Sequence, residues 1–259
     1  MNQTLTKPTT ARILEGKVGV VVGASQGIGA AMAREFAAAG AKVVLAARST
    51  DKLQRLATEI GANNAYAVTC DISSEDDVRS LTERTVERFG RLDMAVNNAM
   101  GGGHMPKPLH EVSTAEFDSS YAVNLRGYFT AMKYEIGAML QTGGGSIVNI
   151  SSTAGVNGWP GLTAYAAMKH GIGGLTKIAA LDYAERGIRV NTVVPGSIES
   201  DQTAGLPEDK KQMIRNAIPM KRIGTVEEVA RLTAWLLSDQ APFITGASFA
   251  IDGGQLARI

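Results

Sequence analysis

The stretch GKVGVVVGASQGIGAAMAREFAAAG, residues 16–40, decides the fold. Gly16 to Val22 has the β-branched composition of a strand, Gly23 to Gly29 is a glycine-rich turn, and Ala30 to Ala39 reads as a helix stopped by Gly40. This order puts the free N–H groups of a helix start at the carboxyl end of a strand. Glycine there removes the Cβ that would block a diphosphate from the backbone. The spacing of Gly23, Gly27 and Gly29 is Gly-xxx-Gly-x-Gly rather than Gly-x-Gly-xx-Gly, and the turn taken alone also fits a plain tight connection.

Outward from this unit, strand patterns at 42–46, 65–69, 92–96, 146–150, 188–194 and 248–251 alternate with helical patterns at 50–60, 74–89, 114–140, 162–184 and 226–237. Such alternation predicts an α/β fold, a single Rossmann-type doubly wound parallel sheet of about seven strands with helices on both faces. The 259 residues, 44% hydrophobic with 29 glycines, suffice for one domain over 1–259. Residues 1–15 are expected to be a flexible N-terminal extension. Residues 197–219, polar and interrupted by Gly205 and Pro207, are expected to form a mobile substrate lid.

Composition narrows the partners. Lys plus Arg number 26 against 25 Asp plus Glu, so no strong field is available to hold nucleic acid or an anionic membrane. Met1 to Arg12 lacks an apolar core and no apolar run approaches membrane-spanning length, which points to a cytoplasmic protein. The single Cys70 permits no internal disulfide, and His104, His110 and His170 are scattered, so no metal site is expected.

Chemistry concentrates in SIVNISSTAGVNGWPGLTAYAAMKH, residues 146–170. Ser151 and Ser152 end a predicted strand, where open α/β sheets bind ligands. Tyr165 and Lys169, four apart on a predicted helix, leave the same face about one turn apart. A cation ~4 Å from a phenol at an effective dielectric of ~20 is worth about 4 kcal/mol on the phenolate. That is enough to bring a tyrosine from its usual pKa of ~10 toward neutrality, so Tyr165 is a candidate acid/base. The spacing also fits an amphipathic-helix tyrosine beside a solvated lysine.

Asn124 lies in the middle of a predicted helix, a position that asks for a reason unless it is exposed. Arg48 follows the second strand directly, after Ala46 and Ala47, where the adenosine ribose of a dinucleotide would lie; it either meets a phosphate or is a solvated loop residue. Asp71 with Ile72, Asn98 with Ala99, and Pro195 with Gly196 follow the third, fourth and sixth strands.

Assembled, these motifs resemble the short-chain dehydrogenase/reductase family from about Gly16 to Gly254: the Gly23, Gly27, Gly29 turn, Asp71, Asn98-Ala99, Asn124, Ser152, Tyr165 with Lys169, and Pro195-Gly196. The resemblance implies an oxidoreductase that passes hydride between a nicotinamide cofactor and a ketone or secondary alcohol. It implies a catalytic set in which Ser152 bonds the substrate carbonyl, Tyr165 transfers the proton, Lys169 holds the ribose and lowers the Tyr165 pKa, and Asn124 places a relay water. It also implies cofactor contacts from Gly23, Ser25, Gln26, Gly27, Ile28, Gly29, Arg48, Asp71, Ile72, Asn98, Ala99, Tyr165, Lys169, Pro195, Gly196, Ile198 and Ser200, and a homotetramer.

NADP(H) is favoured over NAD(H), because Ala46 and Ala47 stand where NAD-specific enzymes of this fold place a carboxylate, and Arg48, which follows at once, can pair with the phosphate. Gln26 departs from the second basic residue that many NADP-using relatives carry in the glycine turn. Val22, Met100, Ser200 and Val226 replace a usual Thr, Gly, Thr and Pro. Thr153, Asn157, Trp159, Met105, His104 and the lid are the candidate substrate pocket. Two other readings remain. One is a 3-oxoacyl-(acyl-carrier-protein) reductase, although 139–146 lacks the basic residues such reductases usually offer. The other is a non-catalytic nucleotide-sensing binding protein, whose usual mark, a broken Tyr/Lys pair, is absent.

Overall fold

The computed structural model describes residues 12–257. Seven parallel strands, β1 (Val18–Val22), β2 (Lys42–Ala47), β3 (Ala65–Thr69), β4 (Met94–Asn97), β5 (Gly145–Ile150), β6 (Ile188–Pro195) and β7 (Ser248–Ile251), form one sheet in the order β3-β2-β1-β4-β5-β6-β7. The chain builds outward from β1 to β3, then returns to start the other half at β4. The neighbours β1 and β4, aligned so that Val22 faces Asn97, mark the switch point where such sheets bind ligands.

Helices α1 (Gly27–Ala38), α2 (Thr50–Ile60), α3 (Glu75–Phe89), α4 (Thr114–Tyr121), α5 (Gly127–Gln141), α6 (Thr163–Tyr183), α7 (Asp201–Ala204), α8 (Glu208–Ala217) and α9 (Val226–Leu237) connect the strands. Side chains alternate between two cores. Val21, Val43, Leu45, Val96 and Val148 pack with α1, α2 and α9. Val20, Val44, Ala95, Ile147 and Val190 pack with α3, α5 and α6. Each fully buried side chain of this kind contributes about 1.5–3 kcal/mol.

Local signals fix the helix ends. Ser74 accepts from the Asp77 N–H ahead of three first-turn acids, and Gly90 closes α3 at φ 79°. Thr225 and Glu228 form a capping box, which starts α9 without the proline that Val226 replaces.

The expectations for 114–140 and for the N-terminus are corrected. The helix over 114–140 is two helices joined by a π-helical turn, Ala122–Arg126, that contains Asn124. Residues 197–219, the expected lid, carry α7 and α8 on either side of Gly205 and Pro207, and Ile198 bridges to Gly224. Of the N-terminal extension, residues 1–11 lie outside the described residues; beyond them Leu14 is fully buried and its N–H donates to Ala39 O at 3.0 Å, so the packed chain already includes Leu14.

Among the described residues no helix is long and apolar enough to cross a membrane.

Candidate active site

A cleft of about 530 Å³ runs along the carboxyl ends of the strands. Midway along it, Gly23 adopts φ 85° and its N–H donates to Ala46 O at 2.7 Å, turning the chain sharply out of β1. A Cβ at Gly23 would approach the Ala99 backbone to 2.9 Å, and one at Gly29 would strike the Gly23 carbonyl oxygen. Gly29 therefore lets α1 pack against the turn and does not itself line the cleft. No side chain caps α1, so its first N–H groups remain available to an anion.

Arg48, Asp71 and Ile72 line the far end. Burial pushes the Asp71 carboxyl up, but the Ser73 N–H and hydroxyl and the Arg48 charge outweigh it and hold the group below its ordinary value. Cys70 lies beside it, its thiol pushed up to about 12 by burial and by Asp77 and Asp71, so it is a packing residue. Lys52 Nζ donates to Gln26 Oε1 at 2.6 Å, placing a second cation beside the glycine turn. No local spacing flags it, because Arg48 precedes α2 and the contact to Gln26 crosses 26 residues.

At the opposite end, β5 delivers Ser151 and Ser152 into the cleft. Ser151 is buried and spends its hydroxyl on Lys169 O at 2.9 Å. Ser152 caps the 3-10 turn Thr153–Gly155, accepting from the Ala154 N–H at 3.1 Å, with its oxygen beside Tyr165. Tyr165 and Lys169 come from α6, and Lys169 Nζ lies 5.8 Å from the Tyr165 ring centre. The ammonium donates to Ile150 O at 2.8 Å and to the Tyr128 hydroxyl at 3.3 Å.

The electrostatics differ from the sequence expectation. Burial pushes the Tyr165 phenol up, only partly offset by Ser152, and burial alone lowers Lys169 to about 7. Burial governs the Tyr165 phenol and Ser152, rather than Lys169, opposes it, so the predicted acidification by Lys169 does not appear.

Asn124 is buried and does not line the cleft, where its neighbour Val123 does. Its Nδ2 donates to Gly101 O at 2.6 Å and to Ser120 O at 3.0 Å, pinning the segment after β4. Through that segment Asn98, Ala99 and Met100 reach the cleft, as do Ser25, Gln26, Gly27, Ile28, Pro195, Gly196, Ile198 and Ser200.

Thr153, Asn157, Trp159, Met105 and His104 lie outside the cleft lining. His104 donates from Nδ1 to Met105 O at 2.8 Å and accepts at Nε2 from the Ala164 N–H at 3.4 Å, which makes it a cap on α6. The Lys107 N–H donates to Gly161 O at 3.2 Å, so the two loops carrying these residues meet next to Tyr165.

The sequence reading missed Tyr128, four after Asn124, whose wholly buried ring lies beneath Lys169. A cleft with a glycine cradle in the middle, Arg48 at one end, and hydroxyl, phenol and amine at the other fits a dinucleotide. Among the described residues no group of three or more His, Cys, Asp or Glu could hold a metal.

A family model described as enoyl-(acyl carrier protein) reductase matches residues 23–255. The chain is similar to an A-factor type gamma-butyrolactone 1'-reductase (1S-forming) of Streptomyces virginiae, 41% identical over 249 residues that cover 93% of this chain and 96% of that protein. Its backbone is similar to the crystal structure of levodione reductase at TM-score 0.90 and 33% identity, covering 95% of this chain and 99% of that one. A 3-ketoacyl-(acyl-carrier-protein) reductase from Brucella melitensis, complexed with NADH, matches at TM-score 0.87 and 36% identity over 93% of this chain and 99% of that one.

Proposed function

The chain belongs to the short-chain dehydrogenase/reductase family of nicotinamide-dependent oxidoreductases, and on that premise we propose that it interconverts a medium-sized ketone and its secondary alcohol, with NADP(H) favoured over NAD(H). The observation that carries this reading is that Ser152, Tyr165 and Lys169 line one end of a cleft whose other end is lined by Arg48.

When bound, the nicotinamide supplies or accepts the hydride. The glycine turn and the start of α1 hold the diphosphate, and Arg48, with Lys52 beside it, receives the adenosine phosphate. Ser152 donates its hydroxyl proton in a hydrogen bond to the substrate carbonyl oxygen, and Tyr165 gives that oxygen its phenolic proton. Burial keeps Tyr165 protonated near neutral pH, the form a reduction requires. Lys169 holds the nicotinamide ribose with the N–H left over from its bonds to Ile150 and Tyr128. Asn124 acts by fixing Gly101 and hence the cleft wall. Helices α7 and α8 form the substrate lid.

The protein is proposed to act as a homotetramer. Tyr121, Phe129, Ile178 and Leu181 expose apolar surface on α4, α5 and α6 that a second copy would cover, and light scattering reads the mass directly.

The test of function is cofactor absorbance with NADPH or NADH and a panel of ketones, diketones, sugars and acyl thioesters. Turnover of a simple ketone supports the reading. Turnover of acyl thioesters alone would move it to the 3-oxoacyl-(acyl-carrier-protein) class, and no turnover with either cofactor would leave a nucleotide-binding protein.

A further inference from the structure

We propose that Tyr128 is a positioning residue for this reaction: from α5 its hydroxyl grips the Lys169 amino group from behind and leaves one ammonium N–H free for the cleft. The proposal deepens the oxidoreductase reading and rests on it.

Tyr128 is wholly buried, and its phenolic oxygen lies 3.1 Å from both Ala99 O and Ile150 O and 3.3 Å from Lys169 Nζ. A phenol has one proton to donate and lone pairs to accept with. It therefore donates to one of the two carbonyls and accepts from Lys169. The ammonium has three N–H groups, of which Ile150 O takes one at 2.8 Å and Tyr128 a second. Lys169 lines the cleft, so the third remains for a ligand hydroxyl.

The amino group is clamped between two rings, 5.1 Å from the centre of Tyr128 and 5.8 Å from that of Tyr165. Tyr128 thereby fixes the direction in which Lys169 presents its remaining proton.

The grip also bears on charge. The titratable groups facing Lys169 are Tyr165 on its own helix and Tyr128 on α5, while β5 offers only the Ile150 carbonyl. Burial is the single cause of the Lys169 shift, with no carboxylate contributing. The charged form thus depends on two neutral oxygens, and removing one lowers its stability relative to the free amine. A hydrogen bond to a charged group corresponds to about one to two pH units.

The test is Tyr128→Phe, which keeps the buried ring and removes only the hydroxyl. Lys169 is titrated by NMR in protein carrying lysine labelled with carbon-13 at the ε position, its signal identified by its loss in Lys169→Arg. The pH profile of kcat/KM is recorded alongside. The expected result is a Lys169 midpoint lower by about one to two pH units, and a basic limb of the profile moved to lower pH by a like amount. Activity lost at alkaline pH should return on acidification.

An unchanged midpoint and profile, or a loss equal at every pH that tracks a fall in Tm, would overturn the proposal and make Tyr128 a core residue only. Should the first variant fail to fold, replacement of Tyr128 by 4-fluorophenylalanine, which keeps the ring and fills the hydroxyl's place without a proton to donate, gives the same titration. The NMR titration needs no turnover, so its failure sinks the grip alone, whereas failure of the oxidoreductase reading appears in variants of Tyr165.

Discussion

Lys52 Nζ donates a 2.6 Å hydrogen bond to Gln26 Oε1, linking the first turn of α2 to the glycine turn after β1. The basic group that Gln26 does not supply is therefore brought to the same place from another element. Among the described residues Arg48 makes no ion pair, although its charge acts on Asp71. Two cations with no carboxylate at the end of β2 predict a preference for NADPH of the order of ten- to a hundred-fold. Arg48→Asp should reverse it and Lys52→Gln should reduce it several-fold. The check is kcat/KM for both cofactors with one substrate; an equal ratio in the wild type would make Arg48 a solvated loop residue.

Asn124→Ala removes the side chain that pins Gly101 and leaves that carbonyl without its 2.6 Å donor. An unpartnered acceptor costs about 1–3 kcal/mol when fully buried and the low end of that at half-buried Gly101, so the Tm should fall by about 2 to 6 °C. Because the freed segment carries Asn98 and Ala99 into the cleft, KM for the cofactor should rise as well. A loss of kcat with unchanged Tm and KM would instead favour a direct part in proton relay.

Glu135 on α5 is buried with a single partner, the Asn97 amide at 3.0 Å, and desolvation pushes its carboxyl up to about 7. The folded state thus holds this proton more tightly than the unfolded state. Its contribution to stability is present below the unfolded carboxylate pKa and is lost as pH rises through about 7. Glu135→Gln removes the penalty and should gain on the order of 3 kcal/mol at pH 8.5 but within about 1 kcal/mol at pH 5. Urea unfolding at the two pH values decides it, and an equal effect at both would show that Glu135 is not the titrating group.

The sheet was legible because parallel strands bury both faces, and runs such as Val18–Val22 and Gly145–Ile150 announce themselves locally. Tyr165 with Lys169 was legible for the same reason, since a spacing of four is a local property of a helix. What could not be read depends on contacts between distant segments. The π-helical turn at Asn124 exists together with the Gly101 contact across 23 residues, and Tyr128 meets Lys169 across 41. The balance of forces on Tyr165 was misread because the sequence shows the neighbouring charge but not how far the pair is desolvated. Helices α7 and α8 were hidden by Gly205 and Pro207, which signal a loop in either case.

The central claim is that Tyr165 supplies the proton, and Tyr165→Phe tests it most directly. The variant loses the hydroxyl proposed to meet the substrate oxygen and keeps the ring beside Lys169. Cofactor affinity is read by fluorescence titration with NADPH, and turnover by absorbance with a ketone that the wild type reduces. The account predicts a Kd within about threefold of wild type and a rate lower by about a hundred- to ten-thousand-fold, the span that general acid catalysis contributes. A variant that binds NADPH normally and keeps more than about a tenth of the wild-type rate would contradict it.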